Sequence, residues 1–111
     1  MKKFLVLYRS TASVAEQMAN ATPEQMKGAM DAWMGWAKKA GTAIVDLGTP
    51  LGNPTKVTLT SSGDGDTKLG GFSILQAESS KAVTDLFKGH PHFMAPGATI
   101  EVFEFLRMPG M

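Results

Sequence analysis

No polar residue alternates within FLVLY, residues 4–8, so a strand made from this stretch turns apolar side chains to both of its faces. The chain closes on a second such stretch, IEVFEFL at residues 100–106, again apolar front and back. A sheet that contains both must be covered on both sides, and that demand limits the folds open to the chain.

Cover for one side can be read directly. In TPEQMKGAMDAWMGWAKKAG, Thr22 is placed to accept as N-cap, Pro23 suits the first helical position, and Gln25 sits where a capping box wants Glu or Gln. Met26, Ala29, Met30, Trp33, Trp36, Ala37 and Ala40 then recur at three- and four-residue steps, which predicts one apolar helix face. Lys38 and Lys39 suit the negative end of the helix dipole, and Gly41 ends the run. A shorter helix is expected in SSKAVTDLFKG, capped by Ser79 or Ser80 and stopped by Gly89, with Ala82, Val83, Leu86 and Phe87 on its apolar side. Strands are expected at 4–8, 43–47, 56–60, 72–77 and 99–106, with the strand at 56–60 lying antiparallel beside that at 43–47. Within 72–77, Phe72, Ile74 and Gln76 share one face and Ser73, Leu75 and Ala77 the other. Residues 10–21 read as a loop with at most one helical turn, SSGDGDTKLGG as a turn-rich connection, and MPGM as a tail.

The order β, α, β, β, β, α, β reduces to an α+β, ferredoxin-like split βαβ plan, an antiparallel sheet with two helices on one face. Two helices cover one face only. A second copy of the same sheet is the simplest cover for the other, so a homodimer with facing sheets is expected, with a pocket where strand ends and helix ends converge.

The rest of the composition narrows the function classes. At 111 residues, 43% apolar and 19% charged, residues 1–111 form one globular domain. Eleven basic and ten acidic residues give a net charge of +1, and the lysines are dispersed, so the basic cluster that tracks nucleic-acid phosphates is missing. The absence of cysteine rules out disulfides, thiolate catalysis and Cys-ligated zinc. The opening MKKFLVLYRS imitates a signal peptide, but its apolar run is shorter than the ~7–15 residues of a signal core, and Arg9 ends it without a small-residue cleavage site. No stretch approaches the ~20 apolar residues of a membrane span. A cytoplasmic protein with no membrane partner is expected. The pattern GxGxxG fails at Lys68, there is no nucleophile elbow or HExxH, and no cofactor is expected.

Candidate chemistry centres on FKGHPHFMAPGA, which holds both histidines. Pro91 pushes His90 toward an extended conformation at the helix exit. There His90 either hydrogen-bonds the last helix carbonyls or serves as the group that exchanges protons near neutral pH. His-x-His lacks an evident third ligand, and no metal is expected. Asp46, inside the apolar stretch AIVDLG, lies either at an exposed edge or in a cavity, and it is the carboxylate considered as partner for His90. Trp33 and Trp36 serve either as core or as a stacking surface. Tyr8 and Arg9 end the first strand as rim residues, or Arg9 acts as an anion clamp at a pocket mouth. GDGD offers two carboxylates against the ~6–8 oxygens calcium draws together, so a hairpin turn explains it better.

KKFLVLYR, WAKKAG, GDGDTKLGGFSILQAES and GHPH with PGATIEVFE together resemble the YCII-related, DGPF-containing family of small proteins with the dimeric α/β-barrel fold. The resemblance runs from Met1 to Met108 and is best in His90, Pro91, Gly97, Ile100, Glu101 and Val102. The DGPF motif is incomplete, since Asp66 and Thr67 follow Asp64 and Gly65. For the YCII branch the resemblance implies a histidine on the first helix paired with the aspartate of an Asp-Pro motif. Here the first place falls near Met30 and Asp31 and the second is His90-Pro91, so that dyad does not carry over.

Two readings result. One is a homodimer binding an organic small molecule as a cofactor-free acid/base enzyme of lyase or isomerase type, with His90 as acid/base, Asp46 as its partner, and Tyr8, Arg9, Trp33 and His92 lining the site. The other is a non-catalytic ligand-binding or regulatory dimer with structural histidines. No residue pattern names the ligand.

Overall fold

The computed structural model describes residues 1–95 and 97–110. In chain order the elements are β1 (Lys2–Arg9), α1 (Val14–Asn20), α2 (Pro23–Ala40), β2 (Ile44–Asp46), β3 (Thr55–Val57), β4 (Ser62–Asp64), β5 (Leu69–Ala77), α3 (Ser80–Asp85) and β6 (Thr99–Glu104), with 3-10 turns at Gly41–Ala43 and Pro91–Met94.

The α2 start forms as its sequence dictates. Thr22 accepts from the Gln25 backbone N–H at 3.1 Å, and the Gln25 side chain accepts from the Thr22 N–H at 2.9 Å, closing the capping box. Ser79 caps α3 by accepting from Ala82 N–H at 3.1 Å, and Gly89 leaves the following turn at φ 72°.

Four strands form one antiparallel sheet in the order β2-β5-β1-β6, the split βαβ arrangement with β1 central. Alternation along β1 sends Phe4, Val6 and Tyr8 into a core with Ser73, Leu75 and Ala77 of β5, and α2, α3 and the turn after α3 close it with Trp36, Val83 and Phe87. The opposite face carries Leu5 opposite both Ile74 and Phe103, and Leu7 opposite Phe72. It is half-buried within the single chain, and Phe103 remains 50% exposed. Both faces of β1 are apolar, as expected, but only one is buried.

Four expectations need correction. Residues 14–20 form a helix, because Ser13 accepts from the Glu16 N–H at 3.1 Å and supplies the cap that a helix of this length needs. The strand expected at 56–60 is shorter and does not join the sheet. It pairs with Ser62–Asp64 as a separate two-stranded hairpin, turned by Thr58 and Ser61, which exchange backbone and hydroxyl hydrogen bonds. GDGD is therefore not the hairpin turn: Asp64 ends β4, and Asp66 lies in the loop leading to β5. β6 stops at Glu104 rather than Leu106, and of the expected tail Met111 lies outside the described residues.

Candidate functional site: a methionine-roofed cleft on the helical face

α1 and the first half of α2 overhang the sheet instead of packing on it. Ala21 between them is extended (φ −96°, ψ 139°), and Thr22 restarts the helix, so the two helices form a bent roof. Beneath it lies a cleft of about 440 Å³, roofed by Val14, Met18, Met26, Ala29 and Met30. Tyr8, Trp33 and His92 line its inner end, and Leu47–Pro50 form its wall. That wall is pressed onto β5: Gly48 has φ 82°, and a Cβ there would lie 1.7 Å from the Phe72 carbonyl oxygen, so only glycine fits. Met18, Met26 and Met30 remain 57%, 44% and 60% exposed, which makes the roof open and deformable. No Asp, Glu, Lys or Arg is among the lining residues.

The inner end holds Tyr8 and His92, while Ser10, Gln17, Gln25 and Thr49 lie elsewhere along the lining. Ser73 Oγ donates to the Leu47 carbonyl at 2.6 Å, which leaves it to accept from the Tyr8 hydroxyl at 2.9 Å. Burial pushes the Tyr8 phenol above its ordinary value, opposed by the Ser73 hydrogen bond, so Tyr8 stays protonated. His92 Nε2 lies 2.8 Å from the Arg9 carbonyl and 3.0 Å from the Thr99 carbonyl. Carbonyls only accept, so Nε2 carries the proton and the neutral ring keeps its lone pair on Nδ1.

His90 sits one layer deeper. Only 1% exposed, it does not line the cleft, and it is walled by Tyr8, Trp33, Trp36 and Phe87. Its Nδ1 accepts from the His92 N–H at 3.0 Å, which caps the 3-10 turn that Pro91 begins. The cap faces forward into the next turn, not back to the carbonyls of the preceding helix. Nε2 must then carry the proton, and it has no hydrogen-bond partner among the described residues. It lies among indole rings, with centroids at 4.6 Å for Trp33 and 4.5 Å for Trp36. Burial first, and repulsion from His92 in its protonated form second, push the His90 pKa down to about 4, so the imidazole is neutral near pH 7.

The remaining candidates separate. Tyr8, Trp33 and His92 come together at the cleft. Arg9 does not: one residue beyond Tyr8, it faces the opposite side of the sheet, where it pairs with Glu101 and Asp66. Asp46 is exposed on edge strand β2, beside a bulge, and accepts from the Gly48 N–H at 2.8 Å, so it is not a partner of His90. Trp36 is core, donating its indole N–H to the Leu86 carbonyl at 2.8 Å. The lining residues that sequence reasoning missed include, besides the Leu47–Pro50 wall and the methionines of α2, those of α1. The pattern Ser13-Val14-Ala15-Glu16 is a helix-start signature that points to them.

No protein-family model matches the chain, and no curated protein does. Nine chains of solved structures match it. One is the 5-chloro-2-hydroxyhydroquinone dehydrochlorinase TftG from Burkholderia phenoliruptrix in complex with 2,5-dihydroxybenzoquinone. It is 19% identical, the match covers 96% of this chain and 95% of that one, and the TM-score is 0.56. At this identity the likeness shows a shared α+β fold over almost the whole chain.

Proposed function

We propose that this chain is a YCII-related homodimer that binds a small planar organic molecule in the methionine-roofed cleft and exchanges a proton with it through His92. The observation that carries this reading is the fixed His92 ring: two backbone carbonyls hold the Nε2 proton, leaving Nδ1 as a base in a cleft without charged side chains. Removing a proton beside a leaving group is an elimination, and returning it elsewhere is an isomerisation, so one base at this position suits lyase or isomerase chemistry. The aromatic inner end and thioether roof favour a flat ring. The matched dehydrochlorinase, whose ligand is a substituted six-membered ring, is consistent with that class.

His90 is assigned a supporting role, since Trp33 and Tyr8 stand between it and the cleft. Asp46 is given no part in proton transfer. The homodimer rests on the second sheet face, where Leu5, Leu7, Phe72, Ile74 and Phe103 form an apolar surface that no element among the described residues covers. Among the described residues, no helix is long and apolar enough to cross a membrane.

The test uses 2,5-dihydroxybenzoquinone as binding probe, read by tryptophan quenching, and a panel of hydroxylated and halogenated aromatics for turnover. Saturable quenching is expected, with turnover of at least one panel member lost in His92→Gln. Gln retains a side-chain donor for the carbonyls but has no base, so binding should persist. Full turnover in this variant would end the acid/base reading. A second reading, a non-catalytic binding dimer, is favoured by the absence of charged side chains from the cleft, and it predicts quenching with no turnover of any compound. Sedimentation at micromolar concentration should report about twice 11.8 kDa, and a monomer would remove the dimer from the proposal.

A further inference from the structure

The β3–β4 hairpin is unsupported by its own chain. Every residue from 55 to 64 is exposed, Val57 at 77% and Leu59 fully, yet the hairpin keeps three cross-strand pairs and a hydrogen-bonded turn. A lone two-stranded hairpin is marginal in water, so this one calls for a surface to pack on. Its root is tied down at both ends. Gly65 N–H donates to the Pro54 carbonyl at 3.0 Å, and Asp66 pairs with Arg9. Arg9 belongs to the apolar sheet face, on the same side as Leu5, Leu7 and Glu101, so the arm leaves the slab at a corner of that face.

The dimensions add direction. The chain measures 47 × 45 × 20 Å with a radius of gyration of 15.6 Å, against roughly 13 Å for a compact domain of this length. A 20 Å thickness is that of one helix layer on one sheet, so the arm stays in the plane of the slab and extends past its edge. An arm of that kind overhangs whatever is stacked on the open face.

We infer that the β3–β4 hairpin is an intersubunit arm, placing Val57 and Leu59 against the perimeter of a second copy of this chain stacked on the open sheet face. The inference rests on the homodimer proposed above. It adds a second contact zone, built from residues that the face-to-face sheets do not contain.

The chain has no cysteine, so Leu59→Cys gives a unique attachment point for an environment-sensitive fluorophore. At concentrations where sedimentation shows dimer, the label is expected in an apolar, quencher-protected environment that is lost on dilution in step with dissociation. Val57→Asp combined with Leu59→Asp should weaken the dimer by about 10-fold or more, since both symmetry-related arms lose apolar burial. The far-UV spectrum of the dilute monomer should be unchanged. A dimer with a water-exposed label and unaltered affinity overturns the arm while sparing the face-to-face reading. A label protected in a species that sediments as monomer also overturns it, placing the arm on its own chain. A wild-type protein that never dimerises removes both.

Discussion

The two halves of α2 share one apolar periodicity and meet opposite fates. In the second half, Trp33, Trp36, Ala37 and Ala40 pack on the core, and Trp36 is 7% exposed, stacked on Phe87 with a centroid distance of 5.3 Å. In the first half, Met26, Ala29 and Met30 continue the same stripe over an open cleft. The difference lies in what stands opposite. The turn after α3 reaches the second half with Leu86 and Phe87, whereas the first half faces Gly70 and Gly71 at the start of β5 and the Leu47–Pro50 wall. An apolar helix stripe therefore reports a surface to be covered, not what covers it.

Substitution can break that contrast. The largest effect is expected at the packed end. Trp36→Ala removes a buried ring and strands the Leu86 carbonyl, and it should cost about 3–5 kcal/mol in urea unfolding. A loss under about 1 kcal/mol would mean that the second half is no more committed to the core than the first.

Acid should act next, through His90. With a folded pKa near 4, below the ordinary His value of 6.5, the unfolded chain takes up this proton before the folded one. The contribution is fully present above about pH 6.5 and is lost as pH falls through about 4, roughly 3 kcal/mol in all. His90→Asn keeps an acceptor for the His92 N–H. It should lower stability at pH 7 and flatten this slope, and a slope of wild-type steepness would assign the acid sensitivity elsewhere.

Ser73→Ala, at the boundary of the two regions, leaves the Tyr8 hydroxyl without its acceptor and frees the Leu47 carbonyl. About 1–3 kcal/mol of destabilisation is expected in urea unfolding. A loss well under about 1 kcal/mol would show that Ser73 does not hold Tyr8. The smallest stability effect belongs to the roof. Met30→Ala should change unfolding by under about 1 kcal/mol yet alter 2,5-dihydroxybenzoquinone binding several-fold. The reverse pattern would place Met30 in the core.

Much of this architecture was legible because its signals are local. The capping box at Thr22 and Gln25, the cap at Ser79 and the stop at Gly89 each act within a few residues, and the alternation in 72–77 matches the observed faces. What escaped depended on tertiary partners. Lys56 and Val57 alternate like a sheet strand, but nothing local shows that their partner is Ser62–Asp64 and not β2. Asp46 looked functional because a carboxylate in an apolar run is unusual. Edge exposure and the Gly48 N–H account for it. Of the candidate site residues, His90 and His92 sit in one motif, but a two-residue spacing across Pro91 does not say which ring meets the cleft. The answer came from the Arg9 and Thr99 carbonyls, supplied by β1 and β6.

The link from Tyr8 through Ser73 to Leu47 has an implication for how such a protein changes its preferences. It welds one bank of the cavity to the β-layer, while the other bank carries three exposed, pliant thioethers among its lining side chains. Substitutions at positions 18, 26 and 30 would thus reshape the cleft while leaving the link from Tyr8 through Ser73 to Leu47 untouched.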